Sequence, residues 1–157
     1  MKEWFGLAAR LVTGGVWIWA GVVKLPDPAT SVQAVRAYQL LPSSVVPTVG
    51  QLLPVVEVVV GAALVLGILT RGAAVASALL FALFVIGIAS VWARGITIDC
   101  GCFGGGGFDP EATSKYPVEI ARDVCLLLLS LYVAWLPRTR FALDNALLRR
   151  TPATEGP

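Results

Sequence analysis

Histidine is absent from this chain, and charge is scarce: only 14% of its 157 residues are Asp, Glu, Lys or Arg. Without imidazole there is no His-ligated haem, no His-based zinc site and no Ser-His or Cys-His nucleophile. The net charge of +2 is too small and too dispersed to hold a nucleic acid by its phosphates. Only three cysteines are present, and they remain as the main redox-capable side chains. What fills the chain is apolar. Hydrophobic residues make up 57%, against roughly 45–50% in soluble domains that also carry about 25% charge. The partner implied by composition is a lipid bilayer.

Four stretches are long enough to cross a hydrocarbon core, which takes roughly 20 mostly apolar residues per helix. The first runs from Trp4 to about Val23 with one charge, Arg10. It lacks a small-residue cleavage site before Lys24 and reads as a span rather than a removed signal peptide. The second, from about Val45 to Leu69, carries Pro47, Pro54 and Glu57. The third, Ala73 to Ala93, has no charge. The fourth, Pro117 to Leu136, opens with Glu119, Arg122 and Asp123. Between the first two, Asp27 followed by Pro28 is a helix start, and Val32, Val35 and Tyr38 recur at helical spacing. The expectation is an all-α integral membrane four-helix bundle over residues 1–137. A short interfacial helix lies between spans one and two, and a polar tail, 138–157, is disordered at its end.

Lys and Arg counts orient the chain. Lys2, Arg10, Arg71, Arg138, Arg140, Arg149 and Arg150 share one side, against Lys24, Arg36, Arg94 and Lys115 on the other. Both termini are therefore expected in the cytoplasm of a multi-pass cell-membrane protein. Trp4 and Trp135 would mark the inner interface, and Tyr38, Trp92 and Tyr116 the outer. The outer side also receives ITIDCGCFGGGGFDP, residues 96–110, in a compartment where disulfides persist.

Cys100 and Cys102 flank a single glycine. A bridge across Gly101 would close a very small ring and stabilise little, and strained or exposed disulfides are typically the exchangeable ones. A static bridge, two idle thiols and a soft-metal site for copper(I) are the other uses of such a pair. Cys125 lies eight residues into span four, roughly 12 Å below its start. It shares a helix face with Arg122, whose guanidinium favours thiolate. Cys125 is either a small inert hydrophobe or the inner thiol of a relay whose outer pair is Cys100 and Cys102. Cys102, next to the glycine run, is the expected partner-facing sulfur. The run itself lacks the Lys-Ser/Thr of a phosphate loop and reads as a flexible tether.

Glu57 sits near the bilayer midplane, where an acid costs a few kcal/mol and marks a functional candidate. It is expected either to pair with Arg10 or Arg122 or to accept a proton. Glu119 and Asp123 share a face, with Arg122 and Arg94 as their expected counter-ions, directly beneath the thiol loop.

The segments GVVKLPDP, AYQLLP, LLPVVEVVVGAALVLG and ARGITIDCGCFGG resemble, in order and spacing, the methylamine-utilisation MauE proteins within the wider DoxX-like membrane group. The resemblance covers roughly residues 5–137. Lys24, Asp27, Tyr38, Pro42, Pro54, Glu57, Gly61, Arg94 and the run Cys100 to Gly104 fall on the family pattern. It implies a four-helix, redox-associated membrane protein that exchanges disulfides with a thioredoxin-like extracytoplasmic partner. A membrane quinone as electron carrier follows only by fold-level analogy. A non-catalytic scaffold docking soluble redox enzymes is the rival reading, a small-solute carrier using Glu57 is the third, and self-association stays open.

Overall fold

The computed structural model describes residues 2–135. The tail expected at 138–157, with Arg138, Arg140, Arg149 and Arg150, lies outside the described residues. Five helices and one minimal hairpin follow in order: α1 (Lys2–Lys24), α2 (Pro28–Ala37), α3 (Val46–Leu66), α4 (Thr70–Ala93), β1 (Ile98–Asp99), β2 (Gly107–Phe108) and α5 (Ala112–Trp135). The fold is thus mostly helical. The antiparallel pairing of Ile98 with Phe108 and Asp99 with Gly107 was not expected from the sequence.

Among the described residues three helices are long and apolar enough to cross a membrane: Trp4–Lys24 within α1, then α3 and α4. Helix α5 matches α4 in length but opens with Lys115, Glu119, Arg122 and Asp123. Helix α3 stops three residues short of the expected Leu69. Gly67 takes a left-handed cap (φ +71°), and its N–H returns to the carbonyls of Ala63 and Leu64, satisfying acceptors that the helix end leaves open.

The apolar side chains point mainly outward. Val55 and Val59 on α3, and Leu79, Leu83 and Ile86 on α4, are exposed, whereas Thr13, Ser77 and Ser130 are buried. This inversion suits a lipid solvent, in which small and polar residues hold helices together. Trp17 Nε1 donates to Ser77 Oγ at 2.7 Å, Ser77 and Ser130 share a 2.8 Å hydrogen bond, and Ser130 donates to the Leu126 carbonyl at 2.9 Å. Helices α1, α4 and α5 are joined by this chain. Helix α1 packs most extensively on α3, and α4 on α5. A β-carbon added to Gly21 would lie 2.6 Å from the Pro54 carbonyl oxygen, and one on Gly61 would lie 2.7 Å from that of Gly14. Only small residues permit so close an approach of α1 to α3.

Helix α2 begins as its sequence dictates. The Asp27 carboxylate accepts from the Thr30 N–H at 3.2 Å and the Thr30 hydroxyl at 2.6 Å. These bonds hold its carboxyl below the usual range. The buried face belongs to Ser31 and Ala34, flanked by half-buried Val32, Val35 and Tyr38. It turns inward, with Val32 against Gly50 of α3.

Candidate redox site

The two thiols stand just beyond β1, buried at 5% and 6% exposure, and both are free. They belong to a second small core with Ile88, Val91, Ile98, Ala112 and Tyr116. The turn between them is tightly specified. Gly101 has φ +66°, and a β-carbon there would lie 2.7 Å from Ala34 of α2, so handedness and packing both demand glycine. Its N–H donates to Asp99 Oδ1 at 2.9 Å. The Cys102 N–H donates to Cys100 Sγ at 3.4 Å, and the Cys102 thiol faces the Cys100 carbonyl at 3.9 Å.

Three helices hold Cys100. From α2, the hydroxyl of Tyr38, which follows its last turn, donates to the Cys100 carbonyl at 2.8 Å. Arg94, at the end of α4, donates to the Tyr38 carbonyl at 2.5 Å and to the Ser90 carbonyl at 3.2 Å. From α5, Glu119 Oε1 accepts from Cys100 Sγ at 3.4 Å. Tyr116 is buried and is not an interface anchor: its hydroxyl donates to the carbonyls of Ile96 and Ile98 and accepts from the Ile98 N–H. This clamp sets the entry of the thiol turn. On the far side, Arg122 lies over the Phe103 ring at 4.6 Å and pairs with Asp123 Oδ1 at 2.9 Å.

Several expectations are corrected here. Glu57 pairs with neither Arg10 nor Arg122; Lys24 Nζ reaches it at 2.7 and 3.0 Å, with both groups buried. Lys24 ends α1, and its four-carbon stem lets the ammonium reach along the helix to the acid. Arg122 is the counter-ion of Asp123, as expected, but Arg94 binds backbone carbonyls instead of Glu119. The glycine run is packed: Gly104 has φ +85° and lies so close to Val23 that a β-carbon would overlap it. Cys125 is on the exposed face of α5 and lines neither cavity beside the buried pair.

Those cavities flank Phe84. One of about 30 Å³ is lined by Lys24, Ser31, Tyr38, Cys100 and Gly101 among others, and one of about 10 Å³ by Trp17, Cys102, Phe103, Arg122 and Asp123 among others. The first has room for a water. Both are far below the roughly 300–1,000 Å³ of small-molecule pockets, so neither of these two cavities holds a quinone ring in this arrangement. The hydrogen bond with Cys100, followed by burial, pushes the Cys102 thiol well above its usual range. Burial also pushes the Tyr38 phenol up, which keeps it a donor.

Sequence reasoning missed Lys24 as the partner of Glu57. No pattern signalled Tyr116 or Ala34. Comparison with known proteins supplies the family. The model of the family "Methylamine utilisation protein MauE" matches residues 2–136. The methylamine utilization protein MauE of Paracoccus denitrificans is 34% identical over 131 residues, covering 81% of this chain and 67% of that protein. No solved structure matches the chain. Matched by the family model over residues 2–136, this chain belongs to the MauE family.

Proposed function

We propose that this protein is a thiol–disulfide exchange protein of the cytoplasmic membrane, working through Cys100 and Cys102 on a thioredoxin-like extracytoplasmic partner. The observation that carries this reading is the turn itself. Two free thiols are held in mutual contact around a left-handed glycine, with a carboxylate on one of them. A turn built for mere packing has no use for that arrangement. In this reading α5 is the fourth span of a four-helix bundle, both termini are cytoplasmic, and the thiol hairpin faces outward. The P. denitrificans relative is named for methylamine utilisation, and the partner's dithiol would belong to that process.

Trapping tests the proposal. In a mixed disulfide one cysteine is bonded to the partner and the other resolves the bond, so removing the resolving thiol freezes the complex. Of Cys100→Ser and Cys102→Ser, one should accumulate a reducible adduct with a thioredoxin-fold protein under acid quench and alkylation, and the other none. Cys125→Ser should leave adduct formation intact while stopping re-oxidation, if that thiol is the inner one. Absence of an adduct in both loop variants would replace exchange with the scaffold reading.

A further inference from the structure

We propose that Glu119 is the acid–base residue of the site and that Cys100, not Cys102, is the sulfur that joins the partner. This deepens the exchange reading and rests on it. It also reverses the expectation that the sulfur nearer the glycine run meets the partner.

The geometry separates the two thiols. Cys100 Sγ donates to Glu119 Oε1 at 3.4 Å and receives the Cys102 N–H at 3.4 Å. It therefore has a proton acceptor on one side and a donor that stabilises the sulfur once the proton has left. Among the described residues Cys102 Sγ faces the Cys100 carbonyl at 3.9 Å and hydrogen-bonds no carboxylate. Its hydrogen bond with Cys100 and its burial push the Cys102 thiol up, which suits a resolving group that acts second. The glycine run cannot bias the choice, because Gly104 is pinned against Val23 and Gly106 against Ala34. The charged and titratable groups facing this centre are Asp99 beside the turn, Lys24 from α1, Tyr38 from α2, and Glu119, Arg122 and Asp123 from α5. Among them only the Glu119 carboxylate is within hydrogen-bonding reach of the Cys100 sulfur.

The step balances without an added reagent. Glu119 takes the Cys100 thiol proton, and the thiolate attacks one sulfur of the partner's disulfide. That bond breaks, the Cys100–partner bond forms, and Glu119 passes its proton to the departing partner sulfur. Cys102 then attacks the Cys100 sulfur and displaces the partner, the Cys102 proton going to the second partner sulfur as it leaves. The chain ends with a disulfide and the partner as a dithiol, two electrons having moved. Run in reverse, the partner's dithiol is oxidised, and protonated Glu119 returns its proton to Cys100 as that sulfur leaves.

The test follows iodoacetamide alkylation of Cys100 in the full-length, detergent-solubilised chain carrying Cys102→Ser, by peptide mass spectrometry across pH 5–10. Adding Glu119→Gln should slow alkylation at neutral pH about a hundredfold, the lower end of general-base contributions, and make the rate climb with hydroxide. Glu119→Asp should lose only about tenfold, and it carries the test alone if the glutamine variant does not fold. If Glu119 were merely a neighbouring negative charge, its neutralisation would favour the thiolate and speed alkylation. A faster or unchanged rate therefore overturns the proposal, as does a Cys100 that resists alkylation with Glu119 intact. The small probe needs no partner protein. Slowing by Glu119→Gln together with no partner adduct would sink exchange while leaving the acid–base pair standing.

Discussion

At the residue scale the most consequential pair is Lys24 with Glu57. Glu57 lies eleven residues beyond the start of α3, roughly 16 Å along the helix, and is fully buried. An acid there must be neutralised, and Lys24 does so with two hydrogen bonds. Removing one partner of such a pair strands the other charge and costs about 3–5 kcal/mol, whereas replacing both with apolar residues is often close to neutral. Glu57→Gln should accordingly lower the thermal midpoint of the detergent-solubilised protein, and Lys24→Met with Glu57→Met should recover most of the loss. A double variant no better than the single one would show that the acid has work beyond its lysine. The anomaly was legible in the sequence, since an intramembrane acid announces itself. The partner was not, because that choice depends on how far a flexible lysine stem reaches once two helices have packed.

At the element scale the thiol hairpin shows how composition misleads. Four successive glycines read as slack chain, yet here they let backbone press against α1 and α2. At Gly104 a side chain would both occupy a left-handed conformation, costing about 1–2 kcal/mol, and strike Val23. Gly104→Ala should lift the hairpin from α1 and raise the iodoacetamide reactivity of Cys100 and Cys102 several-fold, with the melting of the long helices little changed. Unaltered reactivity would mean that the run is a tether after all. The long helices were readable from hydropathy, and α2 from its Asp-Pro start. The hairpin was not, because two-residue strands carry no period-2 pattern. Nor does sequence foretell a tyrosine that clamps the hairpin at three backbone groups.

At the scale of the whole molecule, orientation is the property to test. Phe108, 79% exposed at the hairpin, and Leu69, 75% exposed at the turn between α3 and α4, should lie on opposite sides of the membrane. In intact spheroplasts an impermeant maleimide should label Phe108→Cys at once and Leu69→Cys only after lysis. The reverse pattern would place the thiols in the cytoplasm and remove the oxidising compartment. Buried Cys100 and Cys102 are poor reporters for this purpose; exposed positions on the same turn serve better.

The pairing of α1 with α3 and α4 with α5 has a consequence for biogenesis. The chain emerges amino end first, and by Leu66 it already holds both members of its Lys24–Glu57 pair. The first half can thus enter the bilayer with its Lys24 and Glu57 charges cancelled. The thiol turn is different: it needs Ala34 and Tyr38 from that half and Glu119 from α5. A chain stalled before α5 bears the cysteines but not the carboxylate that faces them, so the full centre assembles only once α5 has joined.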